Sequence, residues 1–198
     1  MTIKAENIGK KFDSRWIFRN LDIEITQGSS LALTGRNGSG KSTLLQILTQ
    51  ALSPSEGQVR FGTGENSATE KIGLCAPYID LIEEFTLQEH LVFHSQFKKP
   101  LIRHQEIIER IGYPHATHQP VSGFSSGMKQ RLKLALVLYF QNEVIALDEP
   151  TSNLDDNGIQ WYLAEMDQTK NHKTLIVASN QKIEYEFCAE SLFLNQNS

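Results

Sequence analysis

The chain has 198 residues, of which 39% are hydrophobic and 21% charged. That is globular composition, long enough for one substantial core or a core with a small subdomain. A formal net charge of -4 argues against non-specific nucleic-acid binding, which needs a basic surface. In chain order, the opening MTIKAENIGKKFD has no apolar h-region, so no signal peptide is expected. Leu21, Ile23 and Ile25 alternate with Asp22 and Glu24, the period of a half-buried antiparallel strand. Gly28 turns the chain into a short buried strand, Leu31 to Leu33. After Gly40, KSTLLQILTQAL sets Leu44, Leu45, Leu48 and Leu52 at helical spacing. A turn and a strand, Gln58 to Phe61, follow; GTGENSATE reads as an exposed loop and KIGLC as another strand. From Phe85 to about Gly112 the pattern is helical, with Thr86 and Glu89 spaced as a capping box and Pro100 interrupting. His90 and His94 are four apart there, and without a third ligand they read as exposed helical histidines. Beyond GFSSG come a helical MKQRLKLALVLYF, a buried strand EVIALDEP and a helix DDNGIQWYLAEMDQ. The expected order closes with a strand KTLIVAS, a short helix KIEYEFCAE and a strand SLFLN. No run approaches the ~18 apolar residues of a membrane span. Cys75 and Cys188 lack any zinc-type spacing and read as free thiols. Strands alternating with helices at both ends of a helical block predict a parallel α/β core with an inserted helical subdomain.

The strongest motif is GRNGSGKS, Gly35 to Ser42, which satisfies G-x-x-x-x-G-K-[ST] between an apolar strand and a helix. Glycines at 35, 38 and 40 permit the backbone angles that turn amide N–H groups toward phosphate oxygens. The helix beginning near Lys41 adds the positive end of its dipole. The expected phosphate-binding set is Gly35, Asn37, Gly38, Ser39, Gly40, Lys41, Ser42 and Thr43. Lys41 is expected to reach the β- and γ-phosphates, Ser42 to ligate Mg2+, and Thr43 to bond a nearer phosphate. A second acid site is needed beside it. Val144 to Leu147 bury a strand from whose carboxyl end Asp148 emerges, the edge where ligands bind in an open parallel sheet. Asp148 suits metal positioning through water, and Glu149 is placed to polarise an attacking water as general base.

The order GRNGSGKST, FSSGMKQR, ALDEP and SNLD resembles the nucleotide-binding domain of an ABC transporter, over essentially the whole chain. The resemblance implies one domain, 1–198: a P-loop NTPase core, an antiparallel β-subdomain at the N-terminus and a helical subdomain inserted at about 78–140. It implies a Mg2+-dependent ATP hydrolase that dimerises on ATP, as a homodimer or with another cassette. FSSGM, Phe124 to Met128, is similar to the family signature, so Ser125, Ser126 and Gly127 would face the γ-phosphate bound by the other protomer. Thr151 to Asp155 resembles the loop lining the dimer seam; Asp155 also suits an N-cap. An aromatic residue upstream of the P-loop stacks on adenine in this family. Phe12 holds that register better than Trp16, with plain core packing as the competing reading.

Two positions depart from the family pattern. The usual glutamine after the central strand is replaced by Pro77, with Tyr78 adjacent. The usual histidine at the tip of the last core strand is replaced by Asn180, which can donate a hydrogen bond but carries no charge. Glu149, Asn180 and Lys41 form the expected catalytic set, with binding intact and hydrolysis slow. The resemblance further implies a separately encoded subunit under integral membrane permease subunits, on the cytoplasmic face of the membrane, with no nucleic-acid partner. Its compact size resembles small cassettes of export-type and cytochrome-assembly systems. The alternative is a soluble ABC ATPase that regulates another process by ATP-driven dimerisation. A P-loop kinase or GTPase needs neither the signature nor the seam loop.

Overall fold

The computed structural model of the chain describes residues 1–62 and 68–195. The exposed loop expected over 62–70 therefore lies mostly outside the described residues. Strand β1 (Ile3–Phe12) forms a hairpin with β2 (Arg15–Ile25) and pairs on its other edge with β4 (Glu56–Phe61), all antiparallel. These three make one sheet in the order β2-β1-β4. A second sheet holds β3 (Ser30–Gly35), β5 (Ile72–Cys75), β6 (Val144–Asp148), β7 (Thr174–Ala178) and β8 (Glu190–Leu194), parallel throughout and ordered β5-β6-β7-β3-β8. Every residue of β6 and β7 is buried, as their unbroken apolar runs require of a strand covered on both faces.

Helix α1 (Lys41–Leu48) covers one face of this sheet, and α2 (Leu87–His94), α3 (His104–Arg110) and α4 (Ser126–Leu138) are inserted between β5 and β6. Helix α5 (Asp156–Thr169) joins β6 to β7. Side chains alternate between two cores: Ile145, Leu147, Leu175 and Val177 join the inserted helices, while Val144, Ala146, Ile176 and Ala178 join α1 and the antiparallel sheet. The α/β class, with an antiparallel N-terminal sheet and a P-loop core, matches the expectation. Registers Leu33↔Ala178 and Asp148↔Ala178 align the carboxyl ends of β3, β6 and β7. Gly35, Asp148 and Ser179 thereby meet at one edge.

Three local expectations need correction. The first ten-residue strand, β1, went unforeseen, because its alternation is broken by register shifts between Ala5 and Lys11. The helical stretch from Phe85 to Gly112 is divided near Pro100 into α2 and α3, as expected, and Pro100 bridges to Phe140. The helix expected over KIEYEFCAE is only a 3₁₀ turn, Lys182–Glu184. His90 is not exposed: it is buried against Phe85, its Nε2 lies 2.9 Å from the Ile82 carbonyl, and the Nε2 of His94 is buried too. Among the described residues no helix is long and apolar enough to cross a membrane.

Candidate functional site

The loop from β3 to α1 curls because Gly35, Gly38 and Gly40 all take positive φ. Gly40 matters most. At φ 101° it caps α1, and a Cβ there would stand 2.5 Å from Ile17 Cγ2. No side chain caps α1, so its first N–H groups are left for a ligand. Lys41 is buried and folds back over the loop, donating from Nζ to the carbonyls of Gly35 (3.0 Å) and Arg36 (3.2 Å). Among the described residues the buried Ser39 hydroxyl has no hydrogen-bond partner. Asn37, Gly38, Lys41, Ser42, Thr43 and Glu149 line one cavity of about 200 Å3, with Ile17 closing its side.

Asp148 ends β6, 2% exposed, with Oδ1 buried and without a partner among the described residues. Burial pushes its carboxyl above the usual range; the Ser42 hydroxyl pulls the other way, and the Glu149 charge adds to the rise. A buried acid with a free lone pair beside a serine hydroxyl is a donor set for a hard cation. Glu149 follows at φ 45°, its N–H donating to the Ala178 carbonyl at 2.9 Å. Glu149 in this uncommon backbone conformation lines the P-loop cavity.

Asn180 sits just past β7 and its Nδ2 donates to Asn37 Oδ1 at 2.8 Å. The neutral amide thus reaches across to the phosphate loop. Pro77 is exposed beyond β5. Beside it, the Tyr78 phenol is pushed up by burial, with Gln46 lowering and the Asp148 charge raising it. Tyr78 therefore lies within electrostatic reach of Asp148. Phe12 stands at the tip of the β1–β2 hairpin, 49% exposed, with the Lys10 ammonium 5.2 Å from its ring. Trp16 is instead covered by Arg19 at 4.5 Å and Lys11 at 5.3 Å. Phe12 does not line the P-loop cavity; Ile17 of the same hairpin does, and nothing in its local pattern marked it.

Ser125, Ser126 and Gly127 are elsewhere. Ser125 caps α4, accepting from the Met128 N–H at 3.2 Å. A Cβ on Gly127 would stand 2.9 Å from the Asn153 carbonyl, so the start of α4 packs tightly on the loop after β6. With Tyr113, Arg131 and Asp155 these residues line a second depression of about 200 Å3. Asp155 caps α5 through the Gly158 N–H at 2.8 Å and faces Arg131 at 3.6 Å. The two cavities share no lining residue. Two further polar groups escaped the sequence reading: Gln130 of α4, which donates to the Pro150 carbonyl at 2.8 Å, and Glu184, which is fully buried.

A glycine-rich loop and helix start at the carboxyl edge of a parallel sheet, faced by an Asp-Glu pair, define a P-loop nucleoside-triphosphate-binding protein. Residues 18–152, more than half of the chain, match the family model for the ABC transporter, and the chain belongs to that family. It is an ATP-binding cassette with ATP hydrolase activity. It is similar to the lantibiotic transport ATP-binding protein SrtF of Streptococcus pyogenes, 32% identical over 198 residues, covering 95% of this chain and 84% of that one. It is also 33% identical over 164 residues to the cytochrome c biogenesis ATP-binding export protein CcmA of Rhizobium etli, covering 78% and 76% of the two chains. Its fold matches the post-hydrolysis dimer of the ATP-binding cassette MJ0796 bound to ADP and Pi, with a TM-score of 0.85 at 20% identity over 98% and 94% of the chains.

Proposed function

We propose that this chain is the motor subunit of a membrane transporter, in which two cassettes close over ATP and drive separate permease subunits. The observation that carries the reading is the split of the site. The P-loop cavity and the depression at the start of α4 share no residue, which supports reading each as half of a site completed by a second cassette. In that closed pair Phe12 stacks on the adenine, and the Gly35–Thr43 segment and Lys41 hold the phosphates. Ser125, Ser126 and Gly127 of the other cassette approach the γ-phosphate, and Asp155 lies at the seam. Ser42 and Asp148 would hold Mg2+, which supplies charge neutralisation on the phosphates when bound. The unpartnered Asp148 Oδ1 fits that role. Glu149 is the general base that orients and deprotonates the attacking water.

Turnover is slow in this reading. Asn180 offers an amide where the family pattern has an ionisable imidazole, and it is shared with Asn37. The permease docks on the inserted helices. A cleft of about 360 Å3 opens there, lined by Ile79, Leu81, Ile82, Phe93, Lys98 and Lys133, and Tyr78, Val92 and Phe97 stand exposed around it. Apolar walls of this kind suit the apolar face of a short amphipathic helix. SrtF and CcmA are by name transport and export proteins, which supports an export-type partner on the cytoplasmic face of the membrane. The test is twofold. The Glu149→Gln chain should shift from monomer to dimer on adding ATP, read by light scattering. The tagged chain, expressed with its genomic neighbours, should copurify a polytopic membrane protein. Dimerisation without a membrane partner would favour a soluble regulatory ATPase instead.

A further inference from the structure

Glu184 is fully buried in the turn after β7, and no step above uses it. A buried carboxylate is costly unless its lone pairs are satisfied. Here they are satisfied by two different segments of the active edge. Oε1 accepts from the Thr151 N–H at 2.8 Å and from the Thr151 hydroxyl; Oε2 accepts from the Ser179 hydroxyl. Thr151 ends the turn that carries Asp148, Glu149 and Pro150, and it opens the loop running to Asp155. Ser179 is the residue immediately before Asn180 and is itself fully buried. Its oxygen also accepts from the Gln181 N–H at 2.8 Å, so the backbone on both sides of Asn180 is held through one hydroxyl. The carboxylate does not float: Tyr162 of α5 donates to the Glu184 main-chain carbonyl at 2.8 Å. Gln130 of α4 grips the same catalytic turn from its other side, through the Pro150 carbonyl.

We propose that Glu184 is a positioning residue for ATP hydrolysis, a buried clamp that sets the Glu149 turn and the Asn180 tip at a fixed separation. The physical reason is geometric. Glu149 and Asn180 stand on the ends of neighbouring strands, and the ladder between β6 and β7 stops at Asp148↔Ala178. Beyond that pair only the Glu149 N–H to Ala178 carbonyl bond and the Glu184 bridge tie the two chain ends directly among the described residues. A carboxylate alone among side chains offers two oxygens to two donor groups on opposite sides. Because Thr151 leads into the seam loop, the clamp also connects the catalytic turn to the surface facing the second cassette. The inference rests on the family's hydrolysis and not on the transport reading, so loss of a membrane partner would leave it untouched.

Glu184→Gln preserves volume but lacks one acceptor, and it is tested with Asn180→Ala in a double-mutant cycle. Three quantities are read: kcat for phosphate release, Kd for a fluorescent ATP analogue, and Tm as a check of folding. The expected result is a fall in kcat of roughly 3–10-fold, the equivalent of one hydrogen bond, with Kd changed by less than about twofold. In the Asn180→Ala background the same change should lower kcat by a smaller factor, because only the arm toward the Glu149 turn is left to lose. An unchanged kcat, a parallel weakening of ATP binding, or an equal fall in the Asn180→Ala background would overturn the proposal. Should Glu184→Gln fail to fold, Ser179→Ala cuts only the arm toward Asn180, leaves the Thr151 pair intact, and carries the same expectations.

Discussion

Asn180 and Gly40 show how much a single side chain decides at this site. Asn180 brings a dipole but no charge to the sheet edge, and its amide is engaged by Asn37. Losing one preorganised stabiliser of developing charge costs roughly 10²–10³ in rate, and an amide recovers part of it. Asn180→His should therefore raise steady-state phosphate release by about tenfold or more, while Glu149→Gln abolishes it. Fast release by the unaltered chain, unmoved by Asn180→His, would refute the role given to Asn180. Gly40 is constrained from two sides, by φ 101° and by Ile17 Cγ2 at 2.5 Å from any added Cβ. An L-residue in that region costs about 1–2 kcal/mol before the clash is counted. Gly40→Ala should weaken ATP-analogue binding by at least about tenfold, with a drop in Tm as the α1 N-terminus shifts. The glycine and lysine pattern was legible in the sequence because it is local. The Asn37–Asn180 bond was not, because 143 positions separate the partners.

Elements were legible where their signals are short-range. The capping box forms as spaced: Glu89 N–H donates to Thr86 Oγ1 at 3.2 Å, and Thr86 N–H donates to Glu89 Oε2 at 2.8 Å. Thr86→Ala should cost about 1 kcal/mol, read as a lower denaturant midpoint at unchanged slope. The segment after β7 misled because helical spacing ignores where the chain must go. It leaves the carboxyl end of β7 and must re-enter at the opposite end of the sheet to start β8 at Glu190. Tyr185, Phe187 and Cys188 instead pack on the core from irregular turns. Helix α2 has a pH signature. Burial first, then the Lys98 charge, holds His94 below its ordinary value of 6.5, and its ring lies edge-on to Phe140. The unfolded chain then takes up the proton first as pH falls. The neutral ring's contribution is full above the unfolded value and is lost on acidification through the folded one. His94→Gln should flatten the decline of Tm between about pH 7 and 5.

At the scale of the whole molecule, the two half-sites on one chain make a distinct prediction. Ser126 lies in the depression at the start of α4 and not in the P-loop cavity. Ser126→Arg should leave ATP-analogue binding by the monomer within about twofold, yet block the ATP-driven dimer of the Glu149→Gln chain. Light scattering against ATP concentration separates the two effects. The phosphate loop, the Asp148–Glu149 strand end, the capping box and the α/β class are legible in residue order alone. Each depends on neighbours within one turn or one strand, where residue type and spacing carry the physics. The Asn37–Asn180 contact, the burial of His90, the Glu184 clamp and the separation of the two cavities emerge only in the folded chain. Those follow from which strands lie side by side in the order β5-β6-β7-β3-β8, and parallel crossovers bring together residues that no local pattern connects.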